Sequence, residues 1–314
     1  MEKQKEKKKR ISAHNEFGTL PREALLKLIN DSKNKYWKDV LWESNYIPSN
    51  KKTWFENKRK GYFYLMSACS EEGRVLDVGA GSGIISDVVS NCYKETISLE
   101  YNPDFIEFLK HRFSQDRKNN IKVVRANALS LPFRSESFNL IIVNGILEWL
   151  PNFVPNNNPK KTQINFLKDC LQKLNQGGQI IIGIENRFYI NYLLGDTPHG
   201  DYPFTTVLPR LVANLLSQKM YNRPYLNYIY SSFGYKHILK KAGFKNIKLF
   251  IIEPTYYNPM NILPMRNNSI INNTIISSGS LPKNKIKRVI FLVLLKTGIL
   301  KHLMHSFYIV GERT

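Results

Sequence analysis

The sequence predicts an α/β protein built on a doubly wound, mostly parallel sheet, and three observations predict it. Short apolar runs alternate with helix-length segments between Arg74 and Ile184, the pattern of strands joined by crossover helices. The run Asn139-Leu-Ile-Ile-Val-Asn144 is apolar throughout its interior, as a strand covered on both faces is. Glycine marks the handover from strand to helix at Gly79-Ala-Gly-Ser-Gly83 and the end of a helix at Gly177-Gly178, where backbone freedom is needed. The chain has 314 residues, of which 42% are hydrophobic and 12% aromatic. That is enough to bury a core, which excludes a largely disordered chain.

Taken in order, residues 1–10 read as a disordered basic tail and residues 11–70 as a helical N-terminal cap. Leu20, Ala24, Leu25, Leu28 and Ile29 fall at helical spacing, and a second helix is expected over Trp54–Cys69 with Tyr62, Phe63, Leu65 and Met66 on its apolar side. Residues 71–314 form the main domain. Its strands are expected at Arg74–Val78, Thr96–Glu100, Lys122–Ala126, Asn139–Asn144 and Gln179–Ile184. Helices are expected from the glycine loop to about Asn91, at Pro103–Gln115 with proline in the first turn, and at Gln163–Leu174.

After Glu185 the alternation breaks. Residues 186–234 are rich in Tyr, Pro and Gly, with one helical patch at Leu208–Ser217. Tyr235–Ala242 is a helix closed by Gly243, and Ile247–Glu253 is a sixth strand. Pro254–Pro282 reads as irregular, Lys285 to about His305 as a basic, apolar helix, and Ser306–Val310 as a seventh strand. Late insertions of this length, 186–234 and 254–305, are more often functional than accidental, and here they suggest a lid over an acceptor.

Lys plus Arg number 46 against 25 Asp plus Glu, a net charge of +21. Such an excess invites nucleic acid as a partner. It is concentrated in Lys3–Arg10, in Lys283–Arg288 and in a group at Lys51, Lys52 and Lys58–Lys60, with no interleaved aromatic ladder and no Cys/His finger. A solvated face with a basic tail is therefore favoured over nucleic acid. Cys69, Cys92 and Cys170 stand apart and in odd number, which excludes a disulfide scaffold and a cysteine zinc site and suggests a reducing compartment. No metal is expected. The basic start has no apolar stretch behind it, and the longest apolar run, Val289–Leu295, is too short to span a bilayer. The expectation is a cytoplasmic protein with peripheral membrane contact through residues 283–305 as an option.

The segment Val75-Leu-Asp-Val-Gly-Ala-Gly-Ser-Gly83 carries the chemistry. The dinucleotide fingerprint G-x-G-x-x-G fails in both frames, because Ile84 and Ser86 occupy the third glycine position. An Asp before G-x-G-x-G instead resembles the cofactor loop of class I S-adenosylmethionine-dependent methyltransferases, and other landmarks agree. Glu100 ends the second strand and Asn127-Ala128 follows the third. Leu131-Pro-Phe then Phe138-Asn139 leads into the fourth, and Leu174-Asn-Gln-Gly-Gly178 leads into the fifth. The resemblance covers residues 74–184 and implies a Rossmann-like, seven-stranded sheet whose last strand is antiparallel.

It further implies S-adenosylmethionine as cofactor and S-adenosylhomocysteine as product. Asp77, Gly79, Ala80, Gly81 and Gly83 would form the methionine end of the site, Glu100 and Tyr101 the ribose end, and Asn127 and Ala128 the adenine contact. Asn144 and Glu148 would lie near the transferred methyl group. Asn127 and Asn139 stand where the family usually has Asp, which removes a charge and keeps a hydrogen-bonding group.

The segment Glu185-Asn-Arg-Phe, followed by Tyr192-x-x-Gly, His199-Gly and Leu208-Pro-Arg210, is similar to an insertion in methyltransferases found among surface-glycan biosynthesis genes. Glu185, Asn186, Arg187 and Arg210 would then contact the acceptor, with the arginines suited to a carboxylate or phosphate. His199, between Asp196 and Asp201, is a candidate general base. The expected activity is methyl transfer to oxygen of a small-molecule or glycan acceptor, which could be lipid-linked. The alternatives are an RNA or protein methyltransferase using the basic surface, or a non-catalytic binding protein on a relic cofactor fold. The segment Asn144-Gly-Ile-Leu147 lacks the Asn-Pro-Pro-Tyr pattern of nucleobase nitrogen methylation.

Overall fold

The computed structural model describes residues 20–66, 70–196, 202–278 and 284–314. The expected basic tail lies outside them. The cap consists of α1 (Arg22–Asp31), α2 (Trp37–Glu43), α3 (Ser49–Glu56) and the short α4 (Arg59–Tyr62), followed by a 3₁₀ turn at Phe63–Met66. The single helix expected over Trp54–Cys69 is thus broken at Asn57, where ψ swings to 77°. Gly61 of α4 then packs so closely on Val88 that an added Cβ would stand 2.6 Å from that side chain. Leu25, Leu28, Trp37, Leu41 and Phe55 form the cap's own core and close it against Phe105 and Phe108.

The main domain runs β1 (Ser70–Val78), α5 (Ile84–Val89), β2 (Tyr93–Glu100), α6 (Pro103–Gln115), β3 (Ile121–Arg125), β4 (Phe138–Asn144), α7 (Pro159–Lys173) and β5 (Leu174–Glu185). Asn102 caps α6 by accepting from the Asp104 amide at 2.8 Å, and Asn158 caps α7 from the Lys161 amide at 3.0 Å. Each cap precedes a proline that presets the first turn. The chain continues through α8 (Ile190–Leu193), α9 (Arg210–Tyr221), α10 (Ser232–Ala242), β6 (Lys245–Thr255), β7 (Asn258–Pro264), α11 (Asn268–Ser277), α12 (Lys285–Lys296) and β8 (Ser306–Glu312).

The strand order is β3-β2-β1-β4-β5-β8-β6-β7. The first five strands are mutually parallel, and β8 inserts antiparallel between β5 and β6. The sheet therefore has eight strands rather than seven. The addition is β7, an antiparallel hairpin partner of β6 inside the stretch read as irregular. Pro259 and Pro264 hide it in the sequence, because proline is tolerated only on an edge such as this one. The helix expected to reach His305 stops at Lys296, before Gly298 with φ 72°.

Side chains alternate across the sheet. Leu76, Val78, Ile141, Val143, Ile180 and Ile182 face one buried layer, and Val75, Leu140, Ile142 and Ile181 the other. Phe291, Leu292 and Leu295 turn α12 onto the first layer, and Val289, Ile290 and Val293 point outward. No helix among the described residues is long and apolar enough to cross a membrane. The order reverses between β1 and β4, so their carboxyl ends open a crevice where open α/β sheets take ligands.

Candidate cofactor and acceptor site

That crevice is a cavity of about 720 Å³. Its floor is the turn after β1. The Gly79 and Ala80 amides donate to the Leu99 carbonyl at 2.8 and 3.0 Å, which lays the turn across the end of β2. Gly79 adopts φ 73°, and a Cβ there would stand 2.3 Å from Ile146 Cδ1. Only glycine fits both demands. Gly79, Ala80 and Gly81 line the cavity, whereas Gly83 begins α5 and packs beneath Leu109 and Phe113.

Glu100 organises the next wall. Its carboxylate accepts from the Gly81 amide at 3.0 Å through one oxygen, and from the Tyr101 and Asn102 amides at 2.8 and 3.0 Å through the other. The carboxylate thus ties the loop to the start of α6 and still faces the cavity. Tyr101 and Phe153 meet edge to face at 5.5 Å, both on the lining. Asn127 and Ala128 complete this side. The Asn127 amide oxygen accepts from the Leu129 N–H at 2.9 Å. Asn139 is not part of the cavity lining; its amide oxygen accepts from the Arg74 N–H at 2.9 Å and pins the middle of β1.

Asp77 departs from expectation. It is 1% exposed, lies beneath the loop, and accepts from Ser86 Oγ at 2.7 Å, which in turn accepts from Ser98 Oγ at 2.7 Å. Burial raises its proton affinity to a pKa of about 6. It is a strut under the turn and does not line the cavity. The charge that does line it nearby is positive. Lys60, half-buried, stands 5.7 Å from the Trp54 ring centre, and burial pushes its ammonium down to about 8.

The far end is built from the ends of β4 and β5. Asn144 is buried, lines the cavity, and accepts from the Tyr64 hydroxyl at 2.6 Å. Glu185 ends β5 on the lining and accepts from the Tyr256 hydroxyl at 3.1 Å. Glu148 is fully buried beside it. Burial first, then the charge of Glu185, holds the Glu148 carboxyl well above the usual carboxylate range. Among the described residues no group of three or more His, Cys, Asp or Glu is arranged to hold a metal ion.

The insertion residues proposed for the acceptor are placed elsewhere. Asn186 is fully buried, donating to the His302 and Met304 carbonyls at 2.7 and 2.8 Å, and so latches β5 to the approach of β8. Arg187 donates to the Thr206, Val207 and Leu208 carbonyls. Arg210 donates to the Ile229 carbonyl and stacks over Tyr228 at 4.3 Å. None of the three lines the cavity. Irregular chain presents unpaired carbonyls that must be met, and these side chains meet them. His199 lies outside the described residues.

Sequence reasoning missed the walls supplied by distant segments. Leu20, Leu25, Trp54 and Lys60 come from the cap, and Tyr256 and Tyr257 from the β6–β7 turn. No described residue of 186–234 lines the cavity. Trp54 and Lys60 were visible only as helix and as part of a basic group. Nothing local to them marks a ligand.

Residues 76–182 match the family model of the methyltransferase domain. A probable S-adenosylmethionine-dependent methyltransferase of Mycobacterium tuberculosis is 24% identical over 154 residues, 49% of this chain and 49% of that protein. An uncharacterized protein of Methanocaldococcus jannaschii is 27% identical over 137 residues, 43% of this chain and 57% of that one. A solved methyltransferase from Archaeoglobus fulgidus is 18% identical, covering 81% of this chain and 92% of its own with a TM-score of 0.46. The chain spans about half the length of the curated relatives it matches.

Proposed function

We propose that the chain, whose residues 76–182 match a methyltransferase domain, is a class I S-adenosylmethionine-dependent methyltransferase acting on a small-molecule acceptor held at the Glu185 end of the cavity. One observation carries the reading. A single cavity is lined by the glycine turn, Glu100 and Asn127-Ala128 at one end, and by Asn144 and Glu185 at the other.

In this reading the free lone pairs of Glu100 accept from the ribose hydroxyls. Tyr101, Phe153, Asn127 and Ala128 enclose the adenine. The ammonium of Lys60, in no ion pair among the described residues, faces the methionine carboxylate. Asp77, read from sequence as facing that end, instead keeps the turn in place from below. S-adenosylmethionine, when bound, supplies a methyl carbon whose bond to sulfur breaks, leaving a thioether, as the acceptor's lone pair bonds to it. The protein's part is alignment, exclusion of water and removal of the acceptor's proton. The side chain at hand for the proton is Glu185, with Glu148 behind it.

A small acceptor fits better than a glycan chain. Leu20, Leu25 and Trp54 of the cap form part of the cavity wall. The two arginines that suggested an anionic sugar are engaged with carbonyls. Calorimetric titration with S-adenosylhomocysteine tests the premise. The expected outcome is saturable binding in the micromolar range, roughly −8 kcal/mol. A flat titration would overturn the reading.

A further inference from the structure

Helix α12 is anchored along one side and bare along the other. Phe291, Leu292 and Leu295 hold it to the buried layer of the main domain. On the opposite side Val289, Ile290 and Val293 are 61%, 52% and 56% exposed, and Ile299, just past the helix, is exposed as well. Val289 and Val293 lie one turn apart on a single ridge with Ile290 beside them, so the three form a continuous aliphatic stripe. Single exposed aliphatic residues are ordinary, whereas a contiguous stripe marks a contact.

The charge around the stripe has one sign. Between Glu253 and Glu312 the chain holds seven Lys and Arg and no Asp or Glu. Lys285 lies one turn before Val289, Arg288 directly precedes it, and Lys296 lies one turn after Val293. All three are exposed, and none forms an ion pair among the described residues. Lys285 and Arg288 also stand in the first turn of the helix, where the dipole disfavours positive charge. A negatively charged surface outside the molecule offsets that cost.

The combination selects the partner. Nucleic acid would meet the basic groups through its phosphates, but an aliphatic stripe offers its bases no ring to stack on. A two-fold pairing with a second copy would set the same basic residues against one another. An anionic bilayer meets both features at once, with phosphates for the charges and acyl chains for the stripe.

We propose that α12 is a membrane contact that lies in the plane of an anionic bilayer. Val289, Ile290 and Val293 enter the upper acyl region, and Lys285, Arg288 and Lys296 sit at the level of the phosphates. With 12 residues the helix is too short to cross, and lying flat is the arrangement open to a basic helix with one apolar face. No residue of α12 lines the cavity, so the contact stands apart from the cofactor site and does not depend on the methyltransferase reading.

The test floats the whole protein at low salt with vesicles of phosphatidylcholine alone or of phosphatidylcholine with phosphatidylglycerol. The anionic vesicles should bind it at least about tenfold more tightly than the neutral ones. Val289→Gln combined with Val293→Gln changes two exposed positions. It should lose about tenfold or more of the affinity for anionic vesicles and leave the unfolding curve nearly unchanged. Failure of the native protein to float with anionic vesicles, or equal flotation with neutral ones, overturns the proposal whether or not the variant folds. Undiminished binding by the folded variant also overturns it, because the contact would then rest on charge elsewhere in the chain. Two further outcomes assign the surface differently and overturn it too. One is binding of a single-stranded RNA oligonucleotide without binding of vesicles. The other is a lipid-free dimer, seen by sedimentation, that the double substitution dissociates.

Discussion

The two ends of the cavity are built by different means. At the glycine turn, Leu99 O, the Gly79 and Gly81 amides and the Glu100 carboxylate lie within the continuous segment β1–α5–β2, and backbone does most of the holding. At the Glu185 end, side chains from β4, β5 and the β6–β7 turn converge from across the chain. A local unit tolerates little change and serves one ligand. A convergent one can be altered wall by wall, which is how a shared cofactor fold comes to host different acceptors.

The largest expected effect breaks the local end. Gly79→Val puts a branched side chain at φ 73° and against Ile146, costing about 3–5 kcal/mol from strain and overpacking together. Urea unfolding should show that loss, and Ile146→Ala in the same background should recover only the steric share. Full recovery would mean that the backbone conformation does not require glycine.

Asp77 gives the next effect. Its folded pKa of about 6 lies above the ordinary Asp value, so the folded state holds the proton more tightly. The stability this contributes is present near pH 4 and lost as pH rises through about 6, to a total of up to about 3 kcal/mol. Unfolding free energies of the native protein and Asp77→Asn, compared at pH 4.5 and 7, should differ in that direction. Parallel pH profiles would show that Asp77 is already ionised when buried.

The smallest effect is at Glu100. Glu100→Gln puts an amide N–H₂ among the three backbone donors at 2.8–3.0 Å. It should weaken S-adenosylhomocysteine by roughly ten- to fiftyfold, about 1.5–2.5 kcal/mol. Glu185→Gln, at the opposite end, should leave S-adenosylhomocysteine binding nearly unchanged. Equal loss from the two substitutions would erase the distinction drawn between the ends.

This difference also governs what was legible beforehand. Gly79–Gly83, Glu100 and Asn102-Pro103 follow one another along the chain at the ends of β1 and β2, so spacing alone exposes them. The first five parallel strands were readable for the same reason: each is a compact apolar run. β7 was not, because its prolines and asparagines satisfy edge geometry and suppress the β pattern. Nor were Trp54, Lys60, Tyr256 and Tyr257, whose meeting depends on how the cap and the last hairpin pack. Asn186, Arg187 and Arg210 misled for a related reason. A polar residue in a long insertion can serve a ligand or a neighbouring carbonyl, and its identity does not say which.

Arg112 of α6 is fully buried, with its guanidinium on the carbonyls of Phe55 and Ser82, over the Trp37 ring at 4.5 Å, and 3.5 Å from Asp87. Phe55 and Trp37 belong to the cap, Ser82 to the glycine turn, and Asp87 to α5. Peeling the cap away would strand a cation in apolar surroundings, and loosening the turn would do the same. The cap and the glycine turn are therefore expected to melt as one cooperative unit.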